Sequence, residues 1–189
     1  MAGIDLDKSK WIRPIGNGFE GAIGNERLVN GTEPELLDIL EIPVGESGPN
    51  YNCQCENVRL KPGVWKKIDS APKQMIQKYC KNSLPLLHNG ERRLPIEYFN
   101  SISPDEWTSL QLIEVKDAAF ERIEWPERVQ YISRFSLDRQ RFKLNITDPN
   151  IRNKLNLHQP ISKTCIMTIS LASPWKGYCY KLATGVIEF

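Results

Sequence analysis

The sequence predicts a mainly β protein of the β-rich α+β class. Three observations carry that expectation. Apolar and polar residues alternate in several runs of the second half, turn-forming residues recur at short intervals, and only one or two stretches carry helical spacing. Roughly seven to nine short strands with polar turns point to small barrels or a sandwich.

The clearest element is a hairpin at 130–148. Val129–Leu137 and Arg141–Thr147 flank a three-residue connection, Asp138-Arg139-Gln140. In the second run Phe142, Leu144 and Ile146 alternate with Arg141, Lys143, Asn145 and Thr147, which puts the apolar set on one sheet face. Asp148-Pro149 ends the ladder. Thr164–Leu171 and Tyr178–Phe189 are two further strands, separated by the turn residues Ser173 to Gly177.

In the first half, Lys10–Ile15 is a short extended piece and Leu36–Val44 the first long strand, an edge strand because Pro43 cannot donate to a ladder. Glu56–Leu60 is a short strand. The best helix covers Ala71–Lys81, with Ser70 as its cap and Pro72 in its first turn. Ser103-Pro104-Asp105-Glu106 opens a short helix before the strand at Ser109–Lys116. A boundary near 100–108 divides the chain into modules 1–104 and 105–189, with no flexible linker between them.

The chain has 189 residues and a net charge of +2, from 25 Lys and Arg against 23 Asp and Glu. That length supports a real core. A nearly balanced charge leaves nucleic-acid binding to a local patch. No leader pattern precedes the chain's first residues, and no apolar run reaches the roughly 18–20 residues of a membrane span. Five cysteines in no disulfide spacing fit a reducing cytoplasm.

Few residues point to catalysis. Gly16-Asn17-Gly18-Phe19-Glu20-Gly21 fits G-x-G-x-x-G, but Pro14 interrupts the preceding strand and Asn30-Gly31 leaves little room for the following helix. Cys53, Cys55, Cys80 and His88 carry zinc-ligand chemistry, yet Cys-x-Cys is too tight and no second close pair exists. No catalytic residue, metal or cofactor is therefore expected.

The basic pattern has more content. Arg128, Arg134, Arg139, Arg141 and Lys143 stand against the single acid Asp138 between positions 128 and 143. Tyr131 and Phe135 lie among them, and Trp125 lies nearby. Trp175 and Lys176 belong to a second set with Trp11, Arg13, Tyr178 and Tyr180. Cations that track phosphates and aromatic rings that stack on bases make a single-strand binding surface. The competing reading is a solvated hairpin face whose aromatics belong to the core.

Several segments together resemble the bacterial dual-OB-containing domain family. They are Gly3-Ile4-Asp5 leading into Trp11-Ile12-Arg13-Pro14, then Leu36-Leu37-Asp38-Ile39, Ile42-Pro43, Glu56-Asn57 and Trp65. Further on come 109–113, Arg134-Phe135, 144–149, 169–171 and 174–182. Family members typically begin with a further apolar strand and a small basic loop. This chain starts at Met1 almost on the Gly-Ile-Asp segment, which implies either a missing first strand, with an exposed sheet edge, or a start assigned late. The resemblance implies two small OB-like barrels packed together, with one or two short helices. It also implies a non-enzymatic nucleic-acid-binding module in a bacterial conflict or defence context. The alternative is a protein-interaction or scaffold module beside an effector. The expected partners are single-stranded nucleic acid or a protein, with no membrane, in the cytoplasm.

Overall fold

The computed structural model describes residues 1–18 and 21–189. Its elements run β1 (Gly3–Asp5), β2 (Lys10–Ile15), β3 (Asp38–Glu41), β4 (Val44–Ser47), β5 (Asn57–Leu60), β6 (Lys66–Ser70), α1 (Lys73–Gln77), β7 (Arg93–Pro95) and α2 (Ile96–Asn100). The second half holds β8 (Leu110–Val115), β9 (Ala119–Trp125), β10 (Arg128–Leu137), β11 (Gln140–Ile146), α3 (Pro149–Asn156), β12 (Cys165–Leu171) and β13 (Tyr178–Glu188). The β-rich α+β class is therefore found. No helix among the described residues is long and apolar enough to cross a membrane.

The larger sheet has the order β8-β12-β13-β11-β10-β9, and β7 pairs with β13. Hydrogen bonds do not close it into a ring. Its two end strands are nevertheless consecutive in the chain, linked by Lys116, Asp117 and Ala118. They act as two halves of one bent strand, the first paired with β12 and the second with β10. Strands β11 and β13 pair in parallel, with α3 and β12 as the crossover between them. Counted this way, the sheet is a partly open five-stranded OB arrangement extended by β7.

The inner face of this sheet holds the core: Ile113, Val115, Phe135, Leu137, Phe142, Leu144, Ile146, Met167, Ile169 and Ala183. Period-two alternation produces it directly, since Phe142, Leu144 and Ile146 are buried between exposed Arg141, Lys143 and Asn145. Leu86, Leu87, Leu94 and Phe99, from the segment that enters through β7 and α2, complete the cluster.

A buried charged group on β13 reaches that segment. Lys181, 2% exposed, donates to Leu86 O at 2.5 Å, Asn89 O at 2.6 Å and Asn89 Oδ1 at 2.7 Å. Burial pushes its pKa down to about 8, which keeps it mostly an ammonium at neutral pH. Its three acceptors tie β13 to the chain before β7. At the other end of the sheet Asp148 caps α3 through Ile151 N and also accepts from Val186 N at 2.8 Å.

The first half forms a four-stranded sheet, β1-β2-β5-β4, and a separate ribbon, β3-β6. Among the described residues before α1, Cys53 is the one that joins the core cluster. It docks through polar contacts. Arg13 Nη2 donates to Ser109 Oγ at 3.0 Å and Ser170 Oγ at 3.2 Å, Gln54 Nε2 donates to Leu171 O at 3.2 Å, and Glu56 accepts from both the amide and the hydroxyl of Ser109.

Several expectations are corrected. The strand expected over 36–44 breaks at Ile42-Pro43 into β3 and β4, because each pairs with a different neighbour. The helix expected over 71–81 is only the five residues of α1, with Pro72 at its N-cap and no side-chain cap. None of its residues is buried, and beyond it Lys81 N donates to Leu112 O, drawing the chain out along β8. The connection between β10 and β11 has two residues rather than three. Leu137 pairs with Gln140, and Asp138 and Arg139 adopt φ of 47° and 65°. This is the turn in which two left-handed residues match the strand twist, without the usual glycine. Strands β6, β7 and β9 and helices α2 and α3 were not expected from the sequence, although α3 carries its own start signal in Asp148-Pro149. Neither of the two expected OB-like barrels is closed: among the described residues there are one nearly closed sheet and two open ones.

Candidate functional site

Strand register decides which side chains share the outer face of the larger sheet. Arg134 pairs with Lys143 on one side and Ala119 on the other, Ser136 with Arg141, Ile132 with Asn145 and Glu121, and Arg128 with Trp125. Directly paired residues project to the same side. Asn145 is also the parallel partner of Leu182, so Tyr180 and Tyr178, two and four residues earlier, lie on that outer side too. Arg93 on β7 pairs with Tyr180 and joins them.

Five cations of this face thus come together from three strands: Arg134, Arg141, Lys143, Arg93 and, at the far edge, Arg128. Arg134 Nε is held by Glu121 Oε1 at 2.8 Å. Among the described residues, Arg128, Arg141 and Lys143 make no salt bridge, and their side chains are exposed. Ile132 sits among them at 1% exposure, flanked by the Gln130–Asn145 hydrogen bond of 2.7 Å.

The aromatic part lies at the β12–β13 turn. The Trp175 ring is 60% exposed and 6.0 Å from Tyr180, and Tyr180 is 6.4 Å from Tyr178. The Arg93 guanidinium lies 3.9 Å from the centre of the Tyr178 ring and donates to Tyr180 Oη at 3.1 Å. This tyrosine contact is the first cause of its raised pKa. Lys176 Nζ is 4.6 Å from the Trp175 ring centre. Its backbone φ of 49° and that of Gly177, 79°, turn the chain back so that Trp175 and Tyr178 pair across the bend. Stacked guanidinium and exposed indole are the groups that hold unpaired bases.

Not every expected residue joins this surface. Phe135 is 3% exposed and stacks on Phe142 at 5.4 Å inside the core. A ring enclosed there offers no face to a base, so the expected stacking role is corrected to packing. Tyr131 faces the other side, where its hydroxyl donates to Asn156 Oδ1 at 2.8 Å and Arg152 lies 5.2 Å from its ring. Arg139 is exposed at the turn, beside an open cleft of about 430 Å³ that it shares with Asp117 and Asp138. Trp11 and Arg13 lie on β2, away from the aromatic group. Arg93 carries no local signal, since it stands some 80 residues from Tyr178 and only β7–β13 pairing unites them.

The remaining motifs are engaged elsewhere. Phe19 and Glu20 of the glycine-rich segment lie outside the described residues. The amides of Gly16, Gly18 and Gly21 donate to carbonyls of their own loop, and Asn25–Arg27 is a single 3-10 turn. Cys53 is in the core, Cys55 Sγ donates to Trp107 O at 3.1 Å, Cys80 contacts Ile76 O, and His88 Nε2 meets Thr108. Burial raises the Cys55 thiol to about 12 and lowers the His88 pKa. Each potential zinc ligand therefore has a different neighbourhood.

An OB-type sheet with a charged, aromatic-edged outer face places the protein in the class of OB-fold modules. The chain belongs to the dual OB-containing domain family, whose model it matches over residues 1–186. No curated protein and no solved structure matches it.

Proposed function

We propose that this protein binds single-stranded nucleic acid on the outer face of β10, β11, β13 and β7. The observation that carries the reading is the convergence of Arg134, Arg141, Lys143 and Arg93 with Trp175, Lys176, Tyr178 and Tyr180 on one side of one sheet. Cations neutralise phosphates, and the exposed rings stack on bases in a sequence-tolerant way. Arg128 and Arg139 extend the positive edge. A non-enzymatic role in bacterial conflict or defence, in the cytoplasm, is part of the same proposal.

A labelled oligonucleotide titrated at two salt concentrations tests it. Affinity is expected to fall steeply with salt, and Arg134, Arg141 and Lys143 replaced together by Ala should lower the salt slope by about two to three. No binding at low salt overturns the reading.

A second reading, docking of a protein partner, draws on exposed Val64, which with Ile42, Pro43 and Gly63 lines an open groove of about 420 Å³, and on Ile68, exposed on β6. Co-purification of a partner without nucleic acid would favour it.

A further inference from the structure

We infer that the bound strand follows one path, from Trp175 across β13, β7, β11 and β10 to Trp125, with a base stacked at each tryptophan. This rests on the nucleic-acid reading above and adds to it a path, a length and a second anchoring residue, Trp125.

The first argument is what the first half covers. Ser170 pairs with Leu182, so its side chain belongs to the outer face, and Arg13 lies on it. Thr168 pairs with Gly185, beside which Leu36 packs. Gln54 and Cys53 approach the adjoining carbonyls of Leu171 and Ala172. The outer side of β8 and β12 is therefore occupied by the protein's own chain. A ligand on this sheet has only the β13-to-β9 side open to it.

The second argument is the placement of the exposed indoles. Trp125, 52% exposed, ends β9 directly opposite Arg128. Trp175 sits at the other end. Counting back from the Asn145–Leu182 pair puts Tyr178 level with Arg141, and Arg141 is level with Ser136, eight residues along β10 from Arg128. At about 3.3 Å per residue that is about 26 Å along the strands, and three to four inter-strand steps of about 4.8 Å from β13 to β9 bring the diagonal to about 30 Å. Each indole has a cation beside it, and Arg134, Lys143, Arg141 and Arg93 lie between them. An aromatic, a row of cations and a second aromatic match a strand whose bases stack at the ends and whose phosphates cross the middle.

At about 3.4 Å per nucleotide, a stacked strand of about nine nucleotides covers the span, and an extended one needs fewer. This lies within the site sizes of about 4 to 16 nucleotides seen for single OB folds.

The test is a ladder of oligothymidylates from about four to about twenty nucleotides, titrated at low salt against the full chain. Affinity should climb to about nine nucleotides and then level off. Trp125→Ala and Trp175→Ala should each weaken binding of long oligonucleotides about tenfold, the loss expected for one stacked base, and should make short ones no worse than before at the intact end. Trp125→Phe keeps a ring and should retain most of the affinity; circular dichroism of all three variants checks the fold. Binding that is unchanged in Trp125→Ala, or that rises smoothly with no length step, overturns the path while leaving the nucleic-acid reading in place. Absence of binding at every length overturns both.

Discussion

The two halves of the molecule are built on different principles. The sheet of β8–β13 encloses a continuous apolar cluster, whereas β1–β6 bury little more than Pro14, Ile15, Cys53 and Trp65 and leave Leu36, Val64 and Ile68 exposed. The first half is held to the second by hydrogen bonds from Arg13, Gln54 and Glu56. Hydrophobic burial scales with the apolar area removed from water. The second half therefore carries the stability, and the first half acts as a cover whose order depends on docking.

Hydrogen exchange gives the largest contrast. Amides of β3, β4 and β6 should exchange orders of magnitude faster than those of β10–β13, because local opening costs least where few apolar contacts must break. Equal protection in both halves would break the comparison.

Single substitutions sharpen it. Leu144→Ala should cost about 3 kcal/mol in chemical denaturation, since it leaves a cavity in a close-packed core. Ile68→Ala, on the exposed ribbon, should stay within about 0.5 kcal/mol.

Lys181→Met should cost about 2 kcal/mol, because Leu86 O and Asn89 O lose a charged donor while buried. A neutral result would mean that the ammonium does not tie β13 to the segment before β7.

The smallest effect belongs to Asp117. The hydroxyl and amide of Ser136 hold its carboxyl below the usual range. A depressed carboxylate pKa stabilises the fold above the unfolded-state value and loses that contribution as pH falls through the folded-state value. Asp117→Asn should cost a few tenths of a kcal/mol at neutral pH, after solvent screening, and the difference should vanish in acid.

The hairpin of β10 and β11 was legible because its alternation is strict and its inner face is buried; a one-residue slip would send Phe142 and Leu144 into water. Strand β12 was legible instead as an apolar run bounded by turn residues, and it is buried on both faces. The break at Ile42-Pro43 and the short α1 were not. Both depend on which strand the neighbouring backbone meets, and that choice is made by pairing rather than by local preference. Phe135 shows the limit most clearly. Its type suits stacking on a base, and only its register opposite Phe142 assigns it to the core.

By itself the sequence determined the β-rich class, the basic hairpin face, the exposed turn at Trp175 and the family resemblance. These are properties of short stretches: period two, charge and turn chemistry. The tertiary structure decided which basic and aromatic residues meet. Arg93 reaches Tyr178 and Tyr180 through the pairing of β7 with β13, Trp125 and Trp175 fall at opposite ends of one face through strand register, and the first half covers β8 and β12 through Arg13 and Gln54. The physical reason is that these contacts join residues tens to more than a hundred positions apart, and no local pattern specifies the partner of an unpaired strand edge.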